Sequence, residues 1–238
     1  MVLIPLEVDG SGARGAAKVT FGLIVVNCIV FVFLQGFGRA QGFTASLWLV
    51  PAEITTGVDV SPSTPIPLWA TLITSAFLHA DLAHLVGNML FLWMFGPIVE
   101  KDMGHRMFLV FYLLSCVVAG LGYVFLSFGT PVLGASGAVA GILGAMLVLQ
   151  PSRKVVALLF GLIPVVLPCF FVVAVFEFIN DILPLFLGGR RGVAITAHLS
   201  GLAFGFLSAR FFCRSSSLTR NEARRVVDDA LMSGKAVD

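Results

Sequence analysis

Between Met107 and Ser152 the chain carries no charged residue. A run of that length in lipid must satisfy its own backbone hydrogen bonds, which restricts it to helices or a closed barrel. A spanning helix needs about 20 apolar residues. The segment "SFGTPVLGAS" divides the run into spans near 107–127 and 136–150. Other apolar stretches cover Val19 to Gly38, Leu82 to Val99, Val155 to about Leu187, and Gly192 to Ala209, which brings the spans to six. Charged residues make up 12% of the sequence and the mean hydropathy is +1.00. A soluble domain carries about 25% charged residues. The expected fold is therefore all-α, a polytopic membrane bundle of six transmembrane helices.

Placement of Lys and Arg orients such a bundle. With the N-terminus inside, the inner segments hold Arg14, Lys18, Lys101, Arg106, Arg153, Lys154, Arg210, Arg214, Arg220, Arg224, Arg225 and Lys235, twelve in all, against Arg39, Arg190 and Arg191 outside. Both termini are expected in the cytoplasm of a multi-pass protein of the plasma (inner) membrane. The N-terminal segment 1–18 lacks a cleavable signal pattern, and the apolar run after Lys18 is expected to remain as a signal anchor. Residues 19–212 form the membrane domain and 213–238 a polar tail. The outer loop 39–80 is long and Pro-rich, and its Trp48 and Trp69 suit the membrane interface. Short outer turns are expected near 129–135 and 188–191. Cys28, Cys116, Cys169 and Cys213 form no ligand or disulfide pattern and are read as packing residues. No metal, no cofactor and no nucleic-acid partner is expected.

Polar residues placed within the membrane are candidates for function. They are His79, His84, Asn88, Ser136, Glu177, Asp181 and His198; His105 lies among Lys101, Asp102 and Arg106 in the inner loop. His84 and Asn88 stand four apart and share a helical face. Ser136 opens the fourth span and His198 lies early in the sixth, so both sit at similar depth near the outer surface. Gly137, Gly141 and Ala145 recur every four residues on one span, and Ala197, Gly201 and Gly205 on the other. Such stripes let helix backbones approach closely. If they face each other, Ser136 Oγ reaches the His198 ring, the minimal pair that activates a serine. The alternative is stripes that only pack, with His198 bonded to a backbone carbonyl. The free N–H groups at the start of the fourth span favour an anion, and His84 and Asn88 add side-chain donors for an oxyanion. Other hydrolase plans fail: "GASGA" is not a G-x-S-x-G elbow, no H-E-x-x-H occurs, and an aspartyl protease would need two buried aspartates.

The segments "FLHADLAHLVGNMLFLWMFGPIVEKDMG", "GASGAVAGILGAMLVL" and "GVAITAHLSGLAFG", in this order, resemble the rhomboid family of intramembrane serine proteases. The resemblance implies Ser136 as nucleophile and His198 as base, with His84, Asn88 and the backbone around Gly134 serving the oxyanion and substrate. It implies structural roles for His79, Gly137, Gly141, Gly201 and Gly205. Its substrates would be single-pass transmembrane proteins, cleaved within the bilayer near the outer face. A non-catalytic adaptor that binds transmembrane clients is the alternative. Three positions depart from better-studied relatives: Ala70 follows Trp69, Ala140 stands four after Ser136, and Ile195-Thr196 precede Ala-His. Glu177 lies on the span that the family uses as a lateral gate; its two readings are a gating residue and a plain cavity-facing acid.

Overall fold

A computed structural model describes residues 3–8, 17–39, 41–60, 63–126, 130–159, 162–183 and 192–213. Arg14, the expected turn at 188–191 and the tail from 214 onward fall outside the described residues. The chain begins with strand β1 (Leu3–Val8) and helix α1 (Lys18–Ile29), which continues as a π-helical segment, Val30–Leu34. Two short helices, α2 (Gln41–Ala45) and α3 (Pro51–Thr56), shape the outer loop, and α4 (Thr71–Thr74) follows between two 3₁₀ turns. The long helices are α5 (Leu82–Met103), α6 (His105–Leu126), α7 (Ser136–Leu149) and α9 (Gly192–Phe212). Strands β2 (Lys154–Leu159) and β3 (Ile163–Pro168) separate α7 from α8 (Cys169–Glu177), which runs on as a π-helical segment, Phe178–Ile182.

Among the described residues, three helices are long and apolar enough to cross a membrane: Leu82–Met103, His105–Leu126 and Ile195–Phe212. The segments Lys18–Leu34, Leu68–Phe77 and Ser136–Leu149 are apolar but shorter. The fold is mostly helical, but the all-α expectation needs correcting. The stretch from Val155 to about Leu187, expected to hold the fifth span, opens on strands rather than on helix. Strands Lys154–Leu159 and Ile163–Pro168 pair antiparallel, and β1 pairs with β2 to complete a three-stranded sheet in the order β1-β2-β3. The apolar helix begins only at Cys169. The physical reason is local: Pro164 and Pro168 each lack the N–H that a helix interior requires, while Val, Leu and Ile suit a strand.

The outer loop is tied down rather than loose. Leu49 and Val132 exchange backbone hydrogen bonds of 3.0 and 2.9 Å, and Thr74 Oγ1 donates to the Leu47 carbonyl at 3.1 Å. Trp69 is 66% exposed, as an interfacial tryptophan would be, whereas Trp48 is half-buried. The α5 helix starts where Asp81 accepts from the His84 N–H at 2.8 Å and stops at Gly104, whose φ of +79° reverses the chain straight into α6. At that same end Glu100 is fully buried. Its carboxylate accepts from the Val19 N–H (2.9 Å), the Thr20 N–H (2.8 Å), the Thr20 hydroxyl (2.6 Å) and the His105 ring (2.5 Å). An acid therefore caps the N-terminus of α1 from the neighbouring helix, where the helix dipole favours negative charge.

Candidate active site

The contact between α7 and α9 is built from absent side chains. A Cβ on Gly201 would fall 2.0 Å from the Gly137 carbonyl oxygen, and one on Gly205 1.9 Å from that of Gly141. Gly144 closes the seam, since its Cβ would meet the Leu202 carbonyl oxygen at 2.1 Å. The two stripes therefore face each other, with a refinement. Gly137 and Gly141 turn their carbonyls to α9, while the side chains they lack would collide with Ala119 and Ser115 of α6. On α6, Gly122 admits Ser200 of α9 in the same way. Gly122 and Gly144 did not emerge from the sequence reading, although Gly144 and Gly137 stand seven apart on one helix face, a usable signal.

This close approach brings the two reactive side chains together. Ser136 Oγ and His198 Nε2 lie 2.8 Å apart across 62 positions of sequence. Ser136 is the first residue of α7, so its N–H and those of Gly137 and Ala138 belong to the unpaired first turn; the Val139 N–H already bonds the Ala135 carbonyl at 2.9 Å. Just upstream, Gly134 has φ +125°, a conformation closed to most L side chains. A Cβ there would sit 2.6 Å from His84 Cε1 and 2.8 Å from Nε2, so the imidazole of His84 lies against the bare backbone of Gly134. The Gly134 N–H is anchored on the Ser75 carbonyl at 2.9 Å.

Asn88 is buried, and its amide nitrogen donates to the His84 carbonyl one turn back at 3.1 Å. His79 is fully buried, and its ring meets that of His84 edge-on, with centroids 5.2 Å apart. Their five-residue spacing is off any common helical face, but His79 precedes the helix cap, so the rule does not govern it. The His79 main chain is paired with Gln35: its N–H donates to Gln35 Oε1 (2.9 Å), and its carbonyl accepts from Gln35 Nε2 (2.8 Å). Neither ring nitrogen meets a hydrogen-bonding partner among the described residues.

Ser136, His198, His84 and Asn88 share the wall of one cavity of about 310 Å³, together with Phe176 and the buried Glu177 of α8. Glu177 thus lines the cavity, a position that both of its readings share. Ala140 also lines it, and its small side chain leaves space beside the pair. The four cysteines are free; Cys116 and Cys169 are buried and the other two partly so, as packing residues.

A family model for the Rhomboid domain matches residues 67–215. Among known proteins, the chain is 29% identical over 203 residues to RHOMBOID-like protein 12, mitochondrial, of Arabidopsis thaliana, covering 78% of this chain and 55% of that protein. It is 31% identical over 147 residues to the putative rhomboid protease YdcA of Bacillus subtilis, covering 61% and 67%. It is 39% identical over 87 residues to the rhomboid protease GluP of the same species, covering 36% and 17%. The chain thus spans about half the length of the plant relative and a smaller part of GluP.

Proposed function

Because this chain belongs to the rhomboid family, we propose that it is an intramembrane serine endopeptidase that cleaves transmembrane-helix substrates near the outer face of the bilayer. The observation that carries this reading is the 2.8 Å contact between Ser136 Oγ and His198 Nε2 on the wall of a cavity. In the proposed reaction Ser136 Oγ attacks the scissile carbonyl carbon while His198 Nε2 takes its proton. The carbonyl oxygen becomes an oxyanion in front of the unpaired first-turn N–H groups of α7, with His84 and Asn88 as further donors. Collapse of the tetrahedral intermediate expels the amine, which receives the proton from His198. A water, deprotonated by the same imidazole, then releases the acyl group. The scheme is a Ser–His dyad, and the close α7–α9 seam sets its two members side by side.

We read six spans in residues 19–212, with α8 and its continuation as the fifth, both termini on the cytoplasmic side, and single-pass membrane proteins as substrates. The sheet supports the shared sidedness: β1 pairs with β2, so the N-terminal segment and the α7–α8 connection lie on one side. A fluorophosphonate probe tests the reading against that of a non-catalytic adaptor. The wild-type protein should be labelled and should cleave a model transmembrane substrate, and Ser136→Ala should do neither. Cleavage by purified Ser136→Ala at the wild-type rate would overturn the mechanism.

A further inference from the structure

The sheet β1-β2-β3 poses a problem that the proposed reaction does not touch. Strands covered on one face normally alternate apolar and polar residues. Here they do not. Val155 and Ala157 are buried against the bundle core, and Leu159, Val165 and Leu167 pack on it. The intervening positions Val156, Leu158, Pro164 and Val166 point the other way and are apolar too. Val166 is 61% exposed, and Leu162 at the turn is 83% exposed. Beyond β3 the same kind of surface continues onto α8, where Phe170 and Phe171 are about half exposed. Charge is confined to one end: Lys154 is exposed at the start of β2, and Glu7 takes the register position across from Val156.

The free edge of the sheet carries a second, independent signal. Proline cannot donate to a ladder, so Pro164 and Pro168 must turn their nitrogens away from β2, and with a period of two Val166 does the same. Two of the three outward donor positions on that edge are therefore proline. Such an edge is a poor template for an added strand, and it leaves few N–H groups unsatisfied where water is scarce.

We propose that the β2–β3 hairpin is a lipid-facing anchor, with its outward face and its turn at Leu162 immersed in the inner leaflet and its charged end at Lys154 kept at the headgroups. The occupant is bilayer lipid rather than a protein strand. Continuity with the apolar surface of α8 and the proline-blunted edge both favour it. The anchor would hold the base of α8, the helix that contributes Phe176 and Glu177 to the cavity. It does not depend on the chain being a protease.

The test is site-directed fluorescence on the full chain in phosphatidylcholine/phosphatidylglycerol vesicles. An environment-sensitive thiol probe is placed at Leu162→Cys, Val166→Cys and Lys154→Cys, with Leu207→Cys on α9 as the lipid-exposed standard (73% exposed) and the unsubstituted protein as the blank. Gel filtration of each labelled variant verifies that it stays folded. Leu162 and Val166 probes should emit to the blue of the Lys154 probe, lose fluorescence to nitroxide lipids as the Leu207 probe does, and be unaffected by iodide. Iodide quenching equal to that at Lys154 would overturn the proposal. Protection from both quenchers would overturn it as well, since it would mean that protein covers the hairpin.

Discussion

At the C-terminal end of α5, the inner end in the proposed topology, Glu100 places both carboxylate oxygens against four donors from α1 and α6, and nothing of it faces open space. At the opposite end, the outer one in that topology, Ser136 and His198 meet each other and a cavity. Both pairings bring distant segments together, about 80 and 62 positions apart in sequence. A buried charge whose hydrogen-bonding capacity is used up serves to hold helices in place. A serine against a base, with empty volume beside it, has somewhere to put a substrate. If that contrast is right, the inner site governs stability with little effect on chemistry, and the outer site does the reverse.

The sharpest break of the contrast is at the outer end. His198→Ala should abolish substrate cleavage and fluorophosphonate labelling together, while thermal unfolding in detergent stays within a few degrees of wild type. A large loss of stability would make His198 a structural residue like Glu100. Asn88→Ala comes next. Asn88 is neutral and cannot take a proton, so in the proposed reaction its part is oxyanion stabilisation, typically about a hundredfold to a thousandfold in turnover. The loss should appear in kcat rather than KM, with slow probe labelling retained, and His84→Ala should resemble it. Labelling that survives in His198→Ala and vanishes in His84→Ala would move the base to α5.

At the inner end the expected effect is on folding. Glu100→Ala leaves the Val19 and Thr20 N–H groups and the Thr20 hydroxyl without their carboxylate. Losing charged hydrogen bonds of this kind costs about 3 kcal/mol or more. Unfolding in mixed micelles should reveal that loss, while kcat per folded molecule stays near wild type. An active-site defect in properly folded Glu100→Ala would erase the division between the two ends.

How far each end was legible in the sequence follows from the same contrast. Near Ser136 the signal is periodic. Small residues four apart mark a helix face, and two such faces on spans entering from the same side have few other ways to pack. Spacing left the pairing of Ser136 with His198 as one of two readings, the family resemblance favoured it, and Gly122 and Gly144 were missed. Near Glu100 there is no period to read. A single acid at the end of an uncharged run looks like an ordinary loop charge, and only the fold reveals the Thr20 backbone beside it. The hairpin failed for another reason: a strand pair apolar on both faces has the composition of a span, and its prolines were the signal to the contrary. The role of the His79 main chain was not legible either, because it depends on Gln35, 44 positions away.

The smallest effects test whether the seam itself belongs to the outer site. Gly201→Ala would place a Cβ 2.0 Å from the Gly137 carbonyl oxygen, which is backbone and cannot swing aside. The helices α7 and α9 must part, at about 1–3 kcal/mol for overpacking of this kind. Since the 2.8 Å contact of Ser136 with His198 spans those two helices, turnover should fall by more than the stability loss alone explains. Gly22→Ala on α1 is the matched control. A Cβ there has nothing within 4 Å, so removing a helical glycine should stabilise the chain by about 0.5–1 kcal/mol and leave cleavage unchanged. Equal effects of the two substitutions on turnover, measured on folded protein, would mean that the seam does not position His198 and that the ring is held by something other than the approach of the two backbones.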